Sequence, residues 1–190
     1  MKKIRVIIPV LVIMVALIFL SGYRFTALSA ANNHAFLSSD AELIDQYKIG
    51  SSGIYIYKSE EEKEYRTVMT EKSGLLFSGN QSTFIPYNSD ELQLVGAASF
   101  INDKDEASFI SFKSNDDKVA YIEAGVEPHI ERKEIKKGER VSFLFPFSEQ
   151  INFLYPTAFD KDGNELYYFG FPKDSNMHNQ DDLRWHKTGD

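Results

Sequence analysis

Two regimes of hydrophobic patterning divide the chain. Val6 to Leu20 is an unbroken apolar run, whereas from Gly53 onward apolar and polar positions alternate with a period of two. The first run predicts a helix. Lys2, Lys3 and Arg5 precede it and Ser21-Gly22-Tyr23-Arg24 follows, the order of basic and apolar segments found in export signals and signal anchors. As a helix the run extends about 22 Å at ~1.5 Å per residue, short of a hydrocarbon core about 30 Å thick. Adding Ile4 and Gly22 to Phe25 lengthens it to a full transmembrane span, with Tyr23 and Arg24 at the outer interface. The upstream excess of basic residues then orients the N-terminus in the cytoplasm and the rest outside. Ala27-Leu28-Ser29 and Ser29-Ala30-Ala31 offer small residues for cleavage, so the secreted form is the alternative.

Ala27, Ala31 and Ala35 recur at helical spacing and predict a juxtamembrane helix or stalk over 26–37. Ser38-Ser39-Asp40 supplies an N-cap for a helical turn through Ala41-Glu42-Leu43-Ile44. Three strands, Gly53–Lys58, Glu64–Thr70 and Leu75–Ser78, then form a meander around the charged turn Ser59–Lys63. A loop over Gly79–Glu91, containing Pro86, leads to seven more: Leu92–Ile101, Glu106–Lys113, Lys118–Ala124, His129–Ile135, Arg140–Phe147, Ile151–Phe159 and Glu165–Phe171. Polar turns separate them, among them Asn115-Asp116-Asp117, Lys136-Lys137-Gly138 and Lys161-Asp162-Gly163-Asn164.

Seven strands at this spacing predict a mainly β fold, an antiparallel β-sandwich, with an up-and-down sheet or barrel as the alternative. The expected divisions are a leader (1–25), a linker (26–50), the meander (51–91), the sandwich (92–172) and a polar tail (173–190) that is disordered or loosely docked.

Composition narrows the chemistry. Cysteine is absent, which removes lipoprotein acylation, disulfides and thiolate metal sites. Four of the 21 basic residues lie in the leader and none of the 28 acidic ones does, so the remainder is more acidic than the whole-chain charge of −7. Such a surface repels nucleic acid and anionic lipid. The 15 Phe and 10 Tyr must build the core without help from cross-links.

No catalytic, cofactor or metal residue emerges from the motifs. Asp160-Lys161-Asp162-Gly163-Asn164 has the look of a calcium loop. Placing Gly163 at the sixth position of an EF-hand puts Ala158 and Phe169 where carboxylates are required, so a glycine hairpin turn is the better reading. Asp103/Asp105 and Asp116/Asp117 can serve calcium only if the turns converge. His34, His129, His178 and His186 form no close ligand pair, and GxSxG and SxxK are missing. Glu60-Glu61-Glu62 reads as a solvated turn rather than a glycosidase pair. The cluster Arg132, Lys133, Lys136, Lys137 and Arg140, interleaved with Glu131, Glu134 and Glu139, reads as protection of an edge strand, with docking of an acidic partner as the alternative.

Three segments carry a resemblance: Tyr23-Arg24-Phe25-Thr26-Ala27 with Ala30-Ala31 and His34; Tyr65-Arg66-Thr67 followed by Ser73-Gly74-Leu75-Leu76-Phe77; and the run from Ala158 to Pro172. On these the chain resembles small single-pass or secreted extracytoplasmic proteins of Bacillus-like bacteria. Lys137-Gly138-Glu139 before an alternating strand is similar to many Ig-like modules. The resemblance implies a membrane-tethered extracytoplasmic protein and brings no activity with it. The expected role is a non-enzymatic accessory or protein-interaction component of the cell envelope. Its expected partners are the membrane and an envelope protein. The alternative is a small-ligand or calcium module, its cleft lined by aromatics such as Tyr55, Tyr57, Tyr155 and Tyr168.

Overall fold

The computed structural model describes residues 2–102, 105–173 and 179–189. It is mainly β with antiparallel sheets, as the alternating pattern predicts, and it divides into two compact units. The first comprises residues 1–62 and 66–82, the second residues 63–65 and 83–190.

In the first unit, helix α1 (Lys2–Leu20) ends where Gly22 takes a positive φ of 84°. Among the described residues no helix is long and apolar enough to cross a membrane, so the structure lends the transmembrane expectation no support. Arg5 bounds the apolar run on one side and the turn after Leu20 cuts it on the other, so the extension through Phe25 does not continue the helix.

Helix α2 (Ala27–Asn32) is capped by Thr26, whose hydroxyl accepts from Ser29 N at 3.1 Å. It is shorter than the expected stalk. The predicted helical turn at Ala41–Ile44 is also replaced, because strand β1 (Glu42–Ile49) runs through it. Tertiary pairing overrides the local N-cap signal there: β1 pairs antiparallel with β2 (Ser52–Ser59) from Glu42↔Lys58 to Ile49↔Ser52. With β3 (Glu64–Ser73) and β4 (Leu76–Pro86) the sheet order is β1-β2-β3-β4, a four-stranded meander rather than three. Tyr55, Tyr57 and Val68 pack with Ala31 of α2, and Tyr57 Oη donates to Asn32 Oδ1 at 2.6 Å. The helix lies directly on β4. A Cβ at Gly79 would sit 2.8 Å from Ala30 O, closer than side-chain carbons approach backbone.

The second unit holds two further sheets. Strands β5 (Leu92–Ile101), β6 (Glu106–Ser114) and β9 (Arg140–Phe145) form one, in the order β5-β6-β9. The other has the order β12-β11-β10-β7-β8, with β7 (Tyr121–Ala124), β8 (Glu131–Glu134), β10 (Thr157–Phe159), β11 (Glu165–Gly170) and β12 (Arg184–Lys187). Both sheets feed one buried cluster: Ile110, Phe112, Phe143 and Phe145 from the first, Ile122, Ala158, Tyr167 and Phe169 from the second. Along β9, Val141, Phe143 and Phe145 are buried while Ser142 and Leu144 are only half-buried, the period-two signature of a strand with one core face.

Two expectations are corrected in this unit. Ile151–Phe159 is not one strand: a 3-10 turn covers Ile151–Leu154, Tyr155 is left-handed at φ 47°, and only Thr157–Phe159 pairs as β10. Pro156 cannot donate to a ladder, which keeps the strand short. The polar tail contains β12, which pairs with β11 from Tyr167↔Lys187 to Gly170↔Arg184 and brings Trp185 against Phe112 and Phe169.

Candidate interaction surface on the five-stranded sheet

Three turns meet at one end of the five-stranded sheet. They precede β7, follow β8, and join β10 to β11. Backbone bonds align them: Ala120 N donates to Phe159 O at 2.8 Å and Ile135 N to Ala120 O at 3.0 Å. The turn after β8 is tied to the end of β6, since Gly138 N donates to Ser114 O at 2.7 Å and Ser114 N to Glu139 O at 3.1 Å. Between the turns lies an open groove of about 1200 Å³. Val119, Tyr121, Ile135 and Leu166 line its floor, and Asp117, Lys118, Lys136, Lys137 and Lys161 are among its rim residues.

Each turn uses an acidic side chain to hold itself. Asp160 Oδ1 accepts from Asp162 N and Asn164 N, both at 2.9 Å, while Oδ2 accepts from Asn164 Nδ2 at 2.8 Å. These bonds, led by the Asn164 amide, hold the carboxyl below its usual range. Its oxygens serve the hairpin turn, with Gly163 at φ 85°, as the glycine spacing predicts. Glu139 Oε2 accepts from Lys136 N at 3.0 Å. Asp116 takes Lys118 N at 2.9 Å and the Tyr167 hydroxyl at 2.8 Å. Burial opposes ionisation of Asp116, but these bonds and the Lys118 charge outweigh it and draw the carboxyl down. Burial, followed by the Asp116 carboxylate, pushes Tyr167 up.

The basic cluster separates by role. Lys133 turns away from the groove, donating to Ser142 O at 2.7 Å and pairing with Glu131 at 3.0 Å. Arg132 lies 3.4 Å over the Tyr121 ring, which stacks on Phe159 at 4.9 Å and 12°. Its distance to Glu123 is 4.0 Å, a weak exposed pair. Lys136, Lys137 and Lys161 have no side-chain partner among the described residues. β8, which carries Arg132 and Lys133, is the terminal strand of its sheet. Sequence reasoning singled out neither Lys118, Tyr121 nor Phe159 and named Lys161 only within the Asp160–Asn164 turn, apart from the basic cluster. Their grouping depends on the pairing of β7 with β10, which no local pattern announces.

Other predicted groupings do not form. Tyr55 and Tyr57 are buried in the core of the first unit, so they do not line an open cleft; burial pushes Tyr57 up to about 12. Tyr155 is exposed, and Tyr168 stacks on His186 at 5.2 Å. His34 is buried and its Nδ1 accepts from Phe36 N at 3.3 Å; burial and then the Arg66 charge pull it down. His129 packs on Phe147. Asp103 and His178 lie outside the described residues. Among the described residues no three His, Cys, Asp or Glu are grouped to hold a metal ion.

Glu60-Glu61-Glu62 is a turn held by Asp40, which accepts from Ser59 Oγ at 2.7 Å, Glu60 N at 2.8 Å and Glu61 N at 3.0 Å, and from Ser38 Oγ. These bonds, the Ser38 hydroxyl first, depress the Asp40 carboxyl below its ordinary 3.8. Its contribution to stability is therefore complete above the unfolded value and is lost as pH falls through the folded one. Asp40→Ala is expected to lower the melting temperature of the first unit at neutral pH and to flatten its decline on acidification. Thermal circular dichroism across that range checks it; an acid limb as steep as that of the wild type contradicts the assignment.

Comparison with known proteins returns no match, whether to a family model, a curated protein or a solved structure.

Proposed function

We propose that this protein is a non-enzymatic β-domain held at the outer face of the cytoplasmic membrane by its N-terminal segment, where it acts through protein contacts as an accessory component of the cell envelope. The observation that carries the reading is the state of α1. Ile7, Ile8, Val10, Val12, Ile13, Val15, Leu17 and Leu20 are all exposed. At 3.6 residues per turn these positions surround the whole helix rather than marking one stripe, so no single protein face suffices to cover them. Lipid does, with the three preceding basic residues at the inner headgroups. Secretion after cleavage is the alternative outcome for the same segment.

The finer fold reading belongs to the same proposal: the three-stranded and five-stranded sheets of the second unit pack as a β-sandwich over their shared aromatic core. Protein contact is favoured because Asp40, Asp116, Glu139 and Asp160, turn carboxylates of the kind that serve catalysis or cation binding, accept bonds from turn N–H groups. The net charge of −7 disfavours nucleic acid as a partner.

Protease applied to intact cells tests the orientation. A C-terminally tagged chain is expected to sediment with membranes and to lose its tag to external protease. Removal of residues 2–20 is expected to leave it protected inside the cell. A tag that survives on intact cells and is digested only after lysis overturns the proposal.

A further inference from the structure

We infer that the end of the four-stranded sheet nearest α1 rests on an anionic lipid surface, with the β3–β4 turn seated among the headgroups. This rests on the membrane-tether reading above and names the face that the first unit turns to the bilayer. Position carries the first part of the argument. Arg24 and Phe77 form an antiparallel bridge, Arg24 N donating to Phe77 O at 2.8 Å and Phe77 N to Arg24 O at 2.7 Å. Leu20, the last residue of α1, precedes Arg24 by four residues, a reach of at most about 14 Å. Phe77 is the second residue of β4, so the β3–β4 turn lies beside the point where the apolar helix ends. The antiparallel register sets Phe25 level with Leu76 and one step from Leu75. Leu75 is 87% exposed at the hairpin tip, next to Gly74 at φ 61°, and Phe25 is 60% exposed.

Charge carries the second part. In the meander the β1–β2 turn and the β3–β4 turn fall at the same end of the sheet. The charged side chains of that end, taken over 21–26, 46–53 and 70–79, are Arg24, Lys48 and Lys72 against Glu71. The opposite end, over 40–42 and 58–62, carries Asp40, Glu42, Glu60, Glu61 and Glu62 against Lys58. Asp45 and Arg66 lie between the ends and cancel. The first unit is therefore polarised, with its positive pole where α1 joins it. In a chain of net charge −7, an anionic bilayer is repelled by the molecule as a whole and attracted by this end, which fixes the orientation. A soluble anion would satisfy the charge and leave Leu75 and Phe25 in water. A bilayer takes both, because acyl chains and anionic headgroups meet at its interface.

Lipid quenching tests this on the full-length protein reconstituted in vesicles of phosphatidylcholine and phosphatidylglycerol. The chain has no cysteine, so Leu75→Cys and Glu61→Cys each accept a single fluorophore. A lipid spin-labelled close to its headgroup is expected to quench the Leu75→Cys label and to spare the Glu61→Cys label. Lys48→Glu/Lys72→Glu, added to Leu75→Cys, is expected to cut the docked-to-undocked ratio by roughly tenfold. High salt is expected to reproduce that loss, and vesicles of phosphatidylcholine alone to abolish the difference between the lysine variant and its parent. All four positions are exposed, so the fold is retained, which circular dichroism verifies. A chain that floats with the vesicles while its Leu75→Cys label is quenched no more than the Glu61→Cys label overturns the inference and leaves the tether standing. Quenching on anionic vesicles that ignores the lysine reversal also overturns it. A chain that fails to float sinks the tether reading, and the inference with it.

Discussion

Phe112→Ala is expected to unfold the second unit at a urea concentration well below that of the wild type. Phe112 lies on β6, fully buried, with its ring 5.4 Å from Phe169 and 4.7 Å from Trp185. Those partners belong to β11 and β12, so this one ring joins the three-stranded sheet to the five-stranded one. Truncation removes the transfer energy of the ring and leaves a cavity that two paired strands cannot collapse to fill. The cost for a buried Phe is about 3–5 kcal/mol, a large share of the ~5–15 kcal/mol that stabilises a domain. Edge-to-face contact with Trp185 adds to the loss. Equilibrium unfolding followed by tryptophan fluorescence is a direct check, because Trp185 is the chain's single tryptophan. A midpoint within error of the wild type contradicts the role given to this contact.

The second large effect is expected at Gly125, which ends the β7 segment. Its φ is 118°, and an added Cβ would lie 2.1 Å from His129 O and 2.9 Å from the Phe145 ring. The nearer atom is backbone, so the clash is not relieved by a rotamer change. The loop is pinned as well: Gly125 N donates to Leu154 O at 2.7 Å and His129 N to Val126 O at 2.6 Å. Gly125→Ala therefore combines a conformation costing about 1–3 kcal/mol for a side-chain residue with displacement of the loop from Phe145. A total above roughly 3 kcal/mol is expected, in the range reserved for single changes with a specific structural cause. Gly138→Ala supplies the comparison. It also has a positive φ, 85°, but nothing lies within 4 Å of its added Cβ, so only about 1 kcal/mol is expected. Equal losses for the two variants would show that steric approach at Gly125 is not what demands glycine.

The strands that sequence anticipated best are those with several buried side chains. β5 has the predicted bounds, and β6, β9 and β11 differ only at their ends. Elements with few buried side chains were harder to see. In β1, Glu42–Ile49, no residue is fully buried, and its strand conformation comes from backbone pairing with β2. β12 carries Arg184, His186 and Lys187 around a single core-directed Trp185, which gives no alternation to detect. The candidate surface was half legible. Lys136 and Lys137 stand out as a basic cluster, but Lys161 is 24 residues further along and joins them only in space.

Sequence by itself determined the apolar run Val6–Leu20, the β character, the turns marked by Gly138 and Gly163, and the absence of thiol chemistry. Each is a local property: periodicity within a strand, the φ a turn requires, or the presence of a residue type. Tertiary structure alone decided that β7 pairs with both β8 and β10, that the polar tail contributes an edge strand, and that three distant turns enclose one groove. Strand pairing runs through backbone groups that every residue but proline carries in full, so partners are chosen by how complete side-chain surfaces fit together. That fit is a property of the assembled sheets, and no window along the chain contains it.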